Sequence, residues 1–595
     1  MANQRYFLDI RKSACNQAWL ERLTTAQVNI AADIAQSLDV PDVLARIIAA
    51  RGVTRAMALA HLNPTMRDLM PDPGVVTDLN VAAARIAKAI YDGERVAIFG
   101  DYDVDGAASS ALLARYLRHF GLAVEIYIPD RIFEGYGPNP AAIEKLATAH
   151  SLIVAVDCGT NSAAALEPAA ETGCDVVVLD HHQVGGALPA IVATVNPNRD
   201  DDLSGLGHLC AAAVVFMTLV DVTRQLRGAG RGDLPNLIKM LDLVALATIC
   251  DVVPLVGLNR AFVKKGLLVA RQGGNAGMTA LAEVSAVGAP LNPHHFGFML
   301  GPRINAGGRI GDATLGAKLL TMDDSEEAMA LAQQLDQLNK ERQAIEADMV
   351  AEAKADAERE LSSSNPPAVL VLASESWHPG IAGLIASRVK DATHRPAFAI
   401  AMGKNGTGTG SARSIAGVDI GKLVREAVGE GLLLKGGGHA MAAGVTVDAK
   451  KLAPLRAFFE QRISEQVSKL IDSQSLKIDG ALSARGINTD LLELLDRAGP
   501  FGTGNATPVF ALPHHRIVDH RIVGNGHVKL RVQANDGGVA DAIAFGAADS
   551  PLGALLANGG RVGGIHLAGT VSANTWQGRT QAQLRVLDAA LPVVD

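Results

Sequence analysis

The sequence predicts an α/β protein: a parallel-sheet domain, a long connecting helix, a smaller α/β domain and a C-terminal β-barrel. Three observations carry this. Downstream of about residue 76, apolar runs of strand length alternate with helical segments, the pattern of a mostly parallel, doubly wound sheet. Residues 325–361 carry Leu331, Leu335, Leu338, Ile345 and Met349 with charges throughout, which reads as one long, exposed helix stopped by Ser362-Ser363-Ser364-Asn365-Pro366-Pro367. Beyond about residue 476, short β-like runs separated by Gly and Asn suggest a small barrel.

Composition narrows the function classes. The chain has 595 residues, 48% hydrophobic and 19% charged, enough for several cores. A net charge of −8 argues against indiscriminate coating of nucleic acid, although the sum says nothing about local basic surfaces. Cys15, Cys158, Cys174, Cys210 and Cys250 form no CxxC pair, which argues against a zinc ribbon or disulfide framework and fits a reducing cytosol. No signal-peptide pattern and no membrane-length apolar run is present, so the expectation is a soluble, cytoplasmic protein without membrane contact.

In chain order, residues 1–75 read as an adaptor of polar helical patches broken by Pro64, Pro71 and Pro73, with no evident chemistry. A helix from about Asp78 to Tyr91 feeds the strand Val96–Gly100. Asp101, Asp103 and Asp105 follow at alternate positions, then Gly106 and an Ala/Leu-rich helix to Phe120. The next strand, Val124–Pro129, leads to Asp130-Arg131 and the loop Glu134-Gly135-Tyr136-Gly137. After a helix from Pro140 to His150, the strand Leu152–Val156 ends in Asp157-Cys158-Gly159. After a helix from about Ala163 to Thr172, the strand Asp175–Leu179 ends in Asp180-His181-His182.

In doubly wound sheets ligands bind beyond the carboxyl ends of the strands. A lone Asp after a strand is usually a turn residue or helix cap, and a His pair is often structural. Three strands ending in carboxylate or imidazole at one edge are better explained by a metal site. Leu243–Cys250, another apolar run, ends in Asp251 and offers a fourth contribution. Mixed carboxylate and imidazole donors suit Mn²⁺ or Mg²⁺ better than structural zinc.

Asp101-Tyr102-Asp103-Val104-Asp105-Gly106, Val156-Asp157-Cys158-Gly159, Asp180-His181-His182 and Cys250-Asp251-Val252-Val253-Pro254 resemble the four motifs of the DHH phosphoesterases. From about residue 75 onward the chain is similar to their branch of bacterial 5′→3′ exonucleases specific for single-stranded DNA. The resemblance implies Asp103, Asp105, Asp157, His181 and Asp251 as ligands of two Mn²⁺ or Mg²⁺ ions, with Asp157 bridging. It implies Asp101 and His182 as neighbouring catalytic groups. Phe99 stands where shorter relatives often carry a His, which leaves the coordination of one metal open.

Further along, Gly301-Pro302-Arg303-Ile304-Asn305-Ala306-Gly307-Gly308-Arg309 sets two arginines among glycines. Its plain reading is a turn with surface arginines; the resemblance makes Arg303, Asn305 and Arg309 a substrate-binding signature near the scissile phosphate, with Arg309 also catalytic. Trp377–Gly383, Gly410–Ser414 and Gly436–Gly444 resemble the DHH-associated domain. There Ser411 and Arg413, with Arg131 and Arg309, match positions that hold a 5′-terminal phosphate, and His439 lines the same site. Phe501–Asn505 with Pro508 and Phe510 resembles the lead-in to an OB-fold. Arg521, Lys529 and Arg531 offer basic contacts to single strands, and Phe545 and Trp576 read either as stacking groups or as barrel core. Gly559-Gly560 and Trp576-Gln577-Gly578 read as later turns.

The resulting division is an adaptor (1–75), a DHH domain (76–322), a connecting helix (323–361), a DHH-associated domain (362–475) and an OB-fold domain (476–595). The implied activity is two-metal hydrolysis of single-stranded DNA from the 5′ end to 5′-mononucleotides, in recombination and repair. Single-stranded DNA is the implied partner, with a single-stranded-DNA-binding protein and a RecQ-type helicase implied by the resemblance alone. A small-molecule phosphoesterase would share the metal chemistry without needing the barrel or a 5′-phosphate pocket. A catalytically silent scaffold would have lost carboxylates that this chain retains.

Overall fold

Buried apolar strands set the architecture. The computed structural model describes residues 5–131, 133–288, 290–558, 564–576 and 579–592; Gly559, Gly560, Gln577, Gly578 and the side chain of Trp576 lie outside the described residues. These residues form two units, one of 70–253 with 261–471, the other of 1–69 with 254–260 and 472–595.

The first unit is built on a five-stranded, wholly parallel sheet. Its strand order is Val124–Tyr127, Val96–Gly100, Leu152–Val156, Asp175–Leu179, Ala193–Val195. The two strands at its centre are buried along their full length, as apolar runs covered on both faces must be. Strand order reverses between Val96–Gly100 and Leu152–Val156, which opens a crevice at their carboxyl ends. The expected helices are found at Leu79–Asp92, Val104–His119, Pro140–Ala147 and Ala163–Thr172. The short strand Ala193–Val195 completes the sheet; its three residues are too few to show a pattern in the sequence.

One element left open by the sequence is settled and one reading of local structure is corrected. The apolar run before Asp251 is the helix Leu241–Cys250, buried almost all round, so it lacks the periodicity that separates a helix from a strand. Gly301–Arg309 is no turn but lies in the helix Gly301–Ile310, which continues a π-helical stretch, Phe296–Leu300. Its glycines serve close packing: a Cβ on Gly308 would lie 2.9 Å from the Tyr102 carbonyl oxygen.

The long helix spans Ser325–Leu361 as expected, yet it is not exposed all round. Asp336, Asn339, Arg342 and Glu346 are buried along one stripe. Beyond it lies a mixed five-stranded sheet ordered Lys435–His439, Ala442–Asp448, Thr407–Arg413, Ala397–Met402, Leu370–Ser374, with only the last pair parallel.

In the second unit the strands Phe510–Val523, His527–Gln533, Val539–Ala544, Arg579–Ala590 and Ile565–Trp576 form a closed five-stranded barrel, sealed by the pairing of Phe510–Val523 with Ile565–Trp576. The runs at 509–512 and 516–518, separate in the sequence reading, are one bulged strand, Phe510–Val523. Phe545 is 52% exposed, with the Arg585 guanidinium 5.1 Å from its ring centre, so it is a surface group and not barrel core. The N-terminal residues contain more structure than an adaptor of polar patches. Ala18–Glu21 pairs in parallel with Ser475–Ile478, and the helices Thr25–Leu38, Asp42–Ala49 and Arg55–Leu62 bury Ile34, Leu44, Ile48 and Leu62 in the same core as Leu491, Phe510 and Leu567.

Arg260 is 1% exposed and donates to the carbonyl oxygens of His61, Ala498, Gly499 and Pro500. Arg260→Leu removes these donors and strands buried carbonyls. The expected outcome is a loss of about 3 kcal/mol in the stability of this unit, read from denaturant unfolding followed by circular dichroism.

Candidate active site and metal centre

Each acidic side chain reaches the sheet rim through a local rule. Asp103 caps the helix Val104–His119: its Oδ1 accepts the backbone N–H groups of Asp105 (2.9 Å) and Gly106 (3.1 Å). A Cβ on Gly106 would sit 2.4 Å from the Asp101 carbonyl oxygen, so only glycine lets the loop fold back so tightly. Asp105 is fully buried and serves a second helix, its two oxygens accepting from Ala211 N–H (2.7 Å) and Ala212 N–H (2.8 Å) at the start of Ala211–Gly228. Asp157 leaves its strand with φ +59°, a left-handed conformation that is costly for a residue with a side chain.

These groups converge. His181 Nε2 lies 3.3 Å from Asp157 Oδ1, 3.6 Å from Asp251 Oδ2 and 3.7 Å from Asp105 Oδ2. Three overlapping sets bring donor atoms within 4.8 Å of one another: Asp157, His181 and His182; Asp105, His181 and Asp251; Asp101, Asp103 and Asp157. Asp157 and His181 belong to two sets each. The Oδ1 atoms of Asp101 and Asp157 are buried without a hydrogen-bond partner. Burial, followed by the charges of neighbouring carboxylates, pushes Asp101, Asp157 and Asp251 well above the ordinary carboxylate range. Burial also raises Asp105, with His181 opposing it. Hard oxygen donors with one imidazole, buried and incompletely satisfied, fit divalent cations of the Mn²⁺ and Mg²⁺ type.

Asp180 plays a role the sequence did not reveal. It accepts from His182 Nδ1 (2.8 Å), from the backbone N–H groups of His181 (2.7 Å) and His182 (3.1 Å), and from Thr160 N–H (3.1 Å). Burial would lower the His182 pKa, but the bond and charge of Asp180, aided by Asp101 and Asp103, outweigh it and push His182 up to about 9. The Tyr136 hydroxyl lies 3.1 Å from His182 Nε2, and His439 stacks on His182 with ring centres 6.2 Å apart. Asn196 and Asn198 donate to the carbonyl oxygens of His182 (2.8 Å) and His181 (2.6 Å), fixing the backbone of the pair. Tyr136 had one signal in the sequence, its place between two glycines, both of which take positive φ.

The predicted phosphate-side residues gather beside this rim. A cavity of about 330 Å³ is lined by Tyr102, Arg131, Tyr136, Gly380, Ser411 and Lys435. Arg131 lies over the Tyr102 ring at 4.9 Å, and Arg309 donates to the Gly380 carbonyl oxygen (2.9 Å). Ser411 and Arg413 share one face of Thr407–Arg413, as residues two apart on a strand do. Burial, then the charges of Arg131, Arg342 and Arg413, lower Arg309 to about 10. A larger cavity of about 1040 Å³ is lined by Asp180, His182, Arg425 and His439 among others. Asn305 lines a third cavity together with Arg309. Arg303 stands apart: its guanidinium is paired with Asp336 (2.8 Å) on the long helix and donates to the Met299 carbonyl oxygen (2.7 Å).

Comparison with known proteins matches residues 95–248 to the DHH family N-terminal domain, 367–465 to the DHHA1 domain and 478–588 to the RecJ OB domain. The single-stranded-DNA-specific exonuclease RecJ of Escherichia coli (strain K12) is 35% identical over 589 residues, covering 96% of this chain and 99% of that protein. This chain belongs to the RecJ family. The RecJ of Bacillus subtilis (strain 168) is 32% identical over 94% of this chain and 69% of its own length. Among solved structures, the Thermus thermophilus RecJ complex with Mn²⁺ matches with a TM-score of 0.77 at 30% identity, covering 96% of this chain and 79% of that one. The Mg²⁺ complex from the same organism gives 0.72 at 29% identity, covering 96% and 78%. The RecJ family assignment spans both units, since the OB match falls in the second and the DHH and DHHA1 matches in the first.

The raised carboxylates set a sign for pH dependence. A carboxyl whose folded pKa is raised stabilises the fold below its unfolded pKa, and that stability is lost as pH rises through the folded value. Metal-free protein is therefore expected to melt at a lower temperature at pH 8 than at pH 5.5. Mn²⁺ should raise the melting temperature most at pH 8, and Asp251→Asn should diminish that rise. Calorimetry across pH with chelator or Mn²⁺ checks all three.

Proposed function

We propose that this chain hydrolyses single-stranded DNA from the 5′ end, releasing 5′-mononucleotides in cytoplasmic DNA recombination and repair. The observation that carries the reading is the convergence of Asp103, Asp105, Asp157, His181 and Asp251 at one sheet rim, beside a cavity lined by Arg131, Ser411 and Lys435, in a member of the RecJ family. The curated relatives are named single-stranded-DNA-specific exonucleases, and the solved T. thermophilus relative binds Mn²⁺ or Mg²⁺. Asp103, Asp105, Asp157, His181 and Asp251 would hold two such ions, which would supply an activated water and stabilise charge on the reacting phosphate.

The chain's own groups do the rest. Asp157, shared by two donor sets, would help to hold both ions. His182, aimed by Asp180, faces a non-bridging or leaving oxygen as a cationic donor, with Asp101 beside it. Arg131, Arg309, Ser411 and Arg413 hold the 5′-terminal phosphate, which an internal phosphodiester cannot present; Asn305 and His439 line the adjoining walls, and Arg303 props Arg309's helix against Asp336. Phosphate contacts carry little sequence information, so sequence preference is weak. In this division residues 76–322 carry the chemistry, 323–361 connect, 362–475 bind the end, 476–595 guide the strand through Arg521, Lys529, Arg531 and Phe545, and 1–75 act as adaptor. Single-stranded DNA is the substrate; a single-stranded-DNA-binding protein and a RecQ-type helicase are the protein partners. No helix among the described residues is long and apolar enough to cross a membrane.

Digestion of strands labelled at either end, with Mn²⁺, Mg²⁺ or chelator, should release label first from the 5′ end and only with metal. Preferential cleavage of dinucleotides would favour a small-molecule phosphoesterase instead. Asp157→Asn is expected to lower kcat by about 10²–10³-fold, measured under single turnover. Arg413→Ala should erode the preference for 5′-phosphate over 5′-hydroxyl ends by about tenfold with an unchanged melting curve, scored by competing the two ends in one digest.

A further inference from the structure

The arginine cluster is larger than one terminal phosphate requires. Behind the proposed 5′-phosphate pocket lies a cavity of about 580 Å³, set among the helix Gly301–Ile310, the long helix Ser325–Leu361 and the helix Ala382–Thr393. Arg309, Arg342 and Arg388 line it against one carboxylate, Glu346, which pairs with Arg342 and with Arg388 (3.1 Å). The two cavities share a wall: Arg309 lines this one, while its guanidinium bonds the carbonyl of Gly380, which lines the other. Gly383 abuts the same wall, since a Cβ there would lie 2.9 Å from Arg413 Nη2, and the next residue, Leu384, lines the rear cavity.

A terminal monophosphate carries about two negative charges, which the reading above already assigns to Arg131, Arg309 and Arg413. Arg342 sits close enough to Arg309 to lower its pKa, and Arg388 lies beyond it. Arg342 and Arg388 share the single carboxylate Glu346, so with Arg309 this cavity carries excess positive charge that an anion longer than one phosphate can meet. We propose that the 5′-end site extends into this rear cavity and accepts single strands ending in a 5′-triphosphate, with the outer phosphates against Arg342 and Arg388. This rests on the exonuclease reading above. The reaction is the same hydrolysis: water oxygen bonds to the phosphorus between the first and second nucleotides, the P–O3′ bond breaks and O3′ leaves as a hydroxyl. The first product is then a nucleoside 5′-triphosphate, and the shortened strand carries an ordinary 5′-monophosphate.

The test uses two strands of one sequence, with a 5′-monophosphate or a 5′-triphosphate, on the full chain with Mn²⁺ and with first products separated by anion exchange. Wild type should release nucleoside triphosphate in its first turnover. Arg342→Gln and Arg388→Gln should each lower the triphosphate-to-monophosphate rate ratio by about tenfold, the worth of a charge-assisted contact. Arg388, with its side chain 61% exposed, is a substitution that the fold tolerates. Two results overturn the proposal: no nucleoside triphosphate from wild type, or an equal loss on both strands, which would make the cavity part of the general strand path. Failure to degrade the monophosphate strand at all would instead sink the exonuclease reading, so the two failures are distinct.

Discussion

Everything in the catalytic unit answers to one constraint, the crowding of buried carboxylates at one rim of a parallel sheet. Asp101, Asp105 and Asp157 are each at most 3% exposed, an arrangement that ordinary burial forbids. Two helix starts make it tolerable: Asp103 caps its own helix, and Asp105 takes both oxygens to the backbone N–H groups of Ala211 and Ala212. These bonds occupy Asp105 and part of Asp103, while one oxygen each of Asp101 and Asp157 is left without a donor. A divalent cation is the group that completes such a set.

Positive charge gathers near the acidic rim as well, where Arg131 and Arg413 lie close enough to Arg309 to lower its pKa. The imidazoles mark the seam. His181 faces three carboxylates, whereas His182 is pinned by Asp180 and lies under His439 from the neighbouring sheet.

The sequence showed the parts of this that depend on local pattern. Doubly covered strands are continuous apolar runs, so Val96–Gly100, Leu152–Val156 and Asp175–Leu179 stood out, and the polar residues after them could be read as a rim. The long helix was legible to its terminal residues, because charged residues and helix formers run without a Gly or Pro from Ser325 to Leu361. What escaped was set by tertiary context. The helix Leu241–Cys250 is too uniformly apolar to show a period, and the glycines of Gly301–Ile310 signal close packing that has no local signature. Asp180 and Tyr136 act through His182, a relation visible only in three dimensions. The same holds for the N-terminal helices, whose apolar faces look like weak surface patches until the partner in their core is known.

That shared core bears on the order in which the molecule can assemble. Residues 1–69 complete their packing against 254–260 and 472–595, so the contacts close a loop of about four hundred residues. On a ribosome the first helices emerge well ahead of the barrel that covers them, with Ile34, Leu44 and Ile48 unburied in the interval. The catalytic unit is continuous apart from a seven-residue excursion, so all of its strands and helices are made before the barrel emerges. The two ends of the polypeptide thus meet only once the barrel has been made, and a nascent chain cut short before it would leave Ile34, Leu44 and Ile48 without their covering partners.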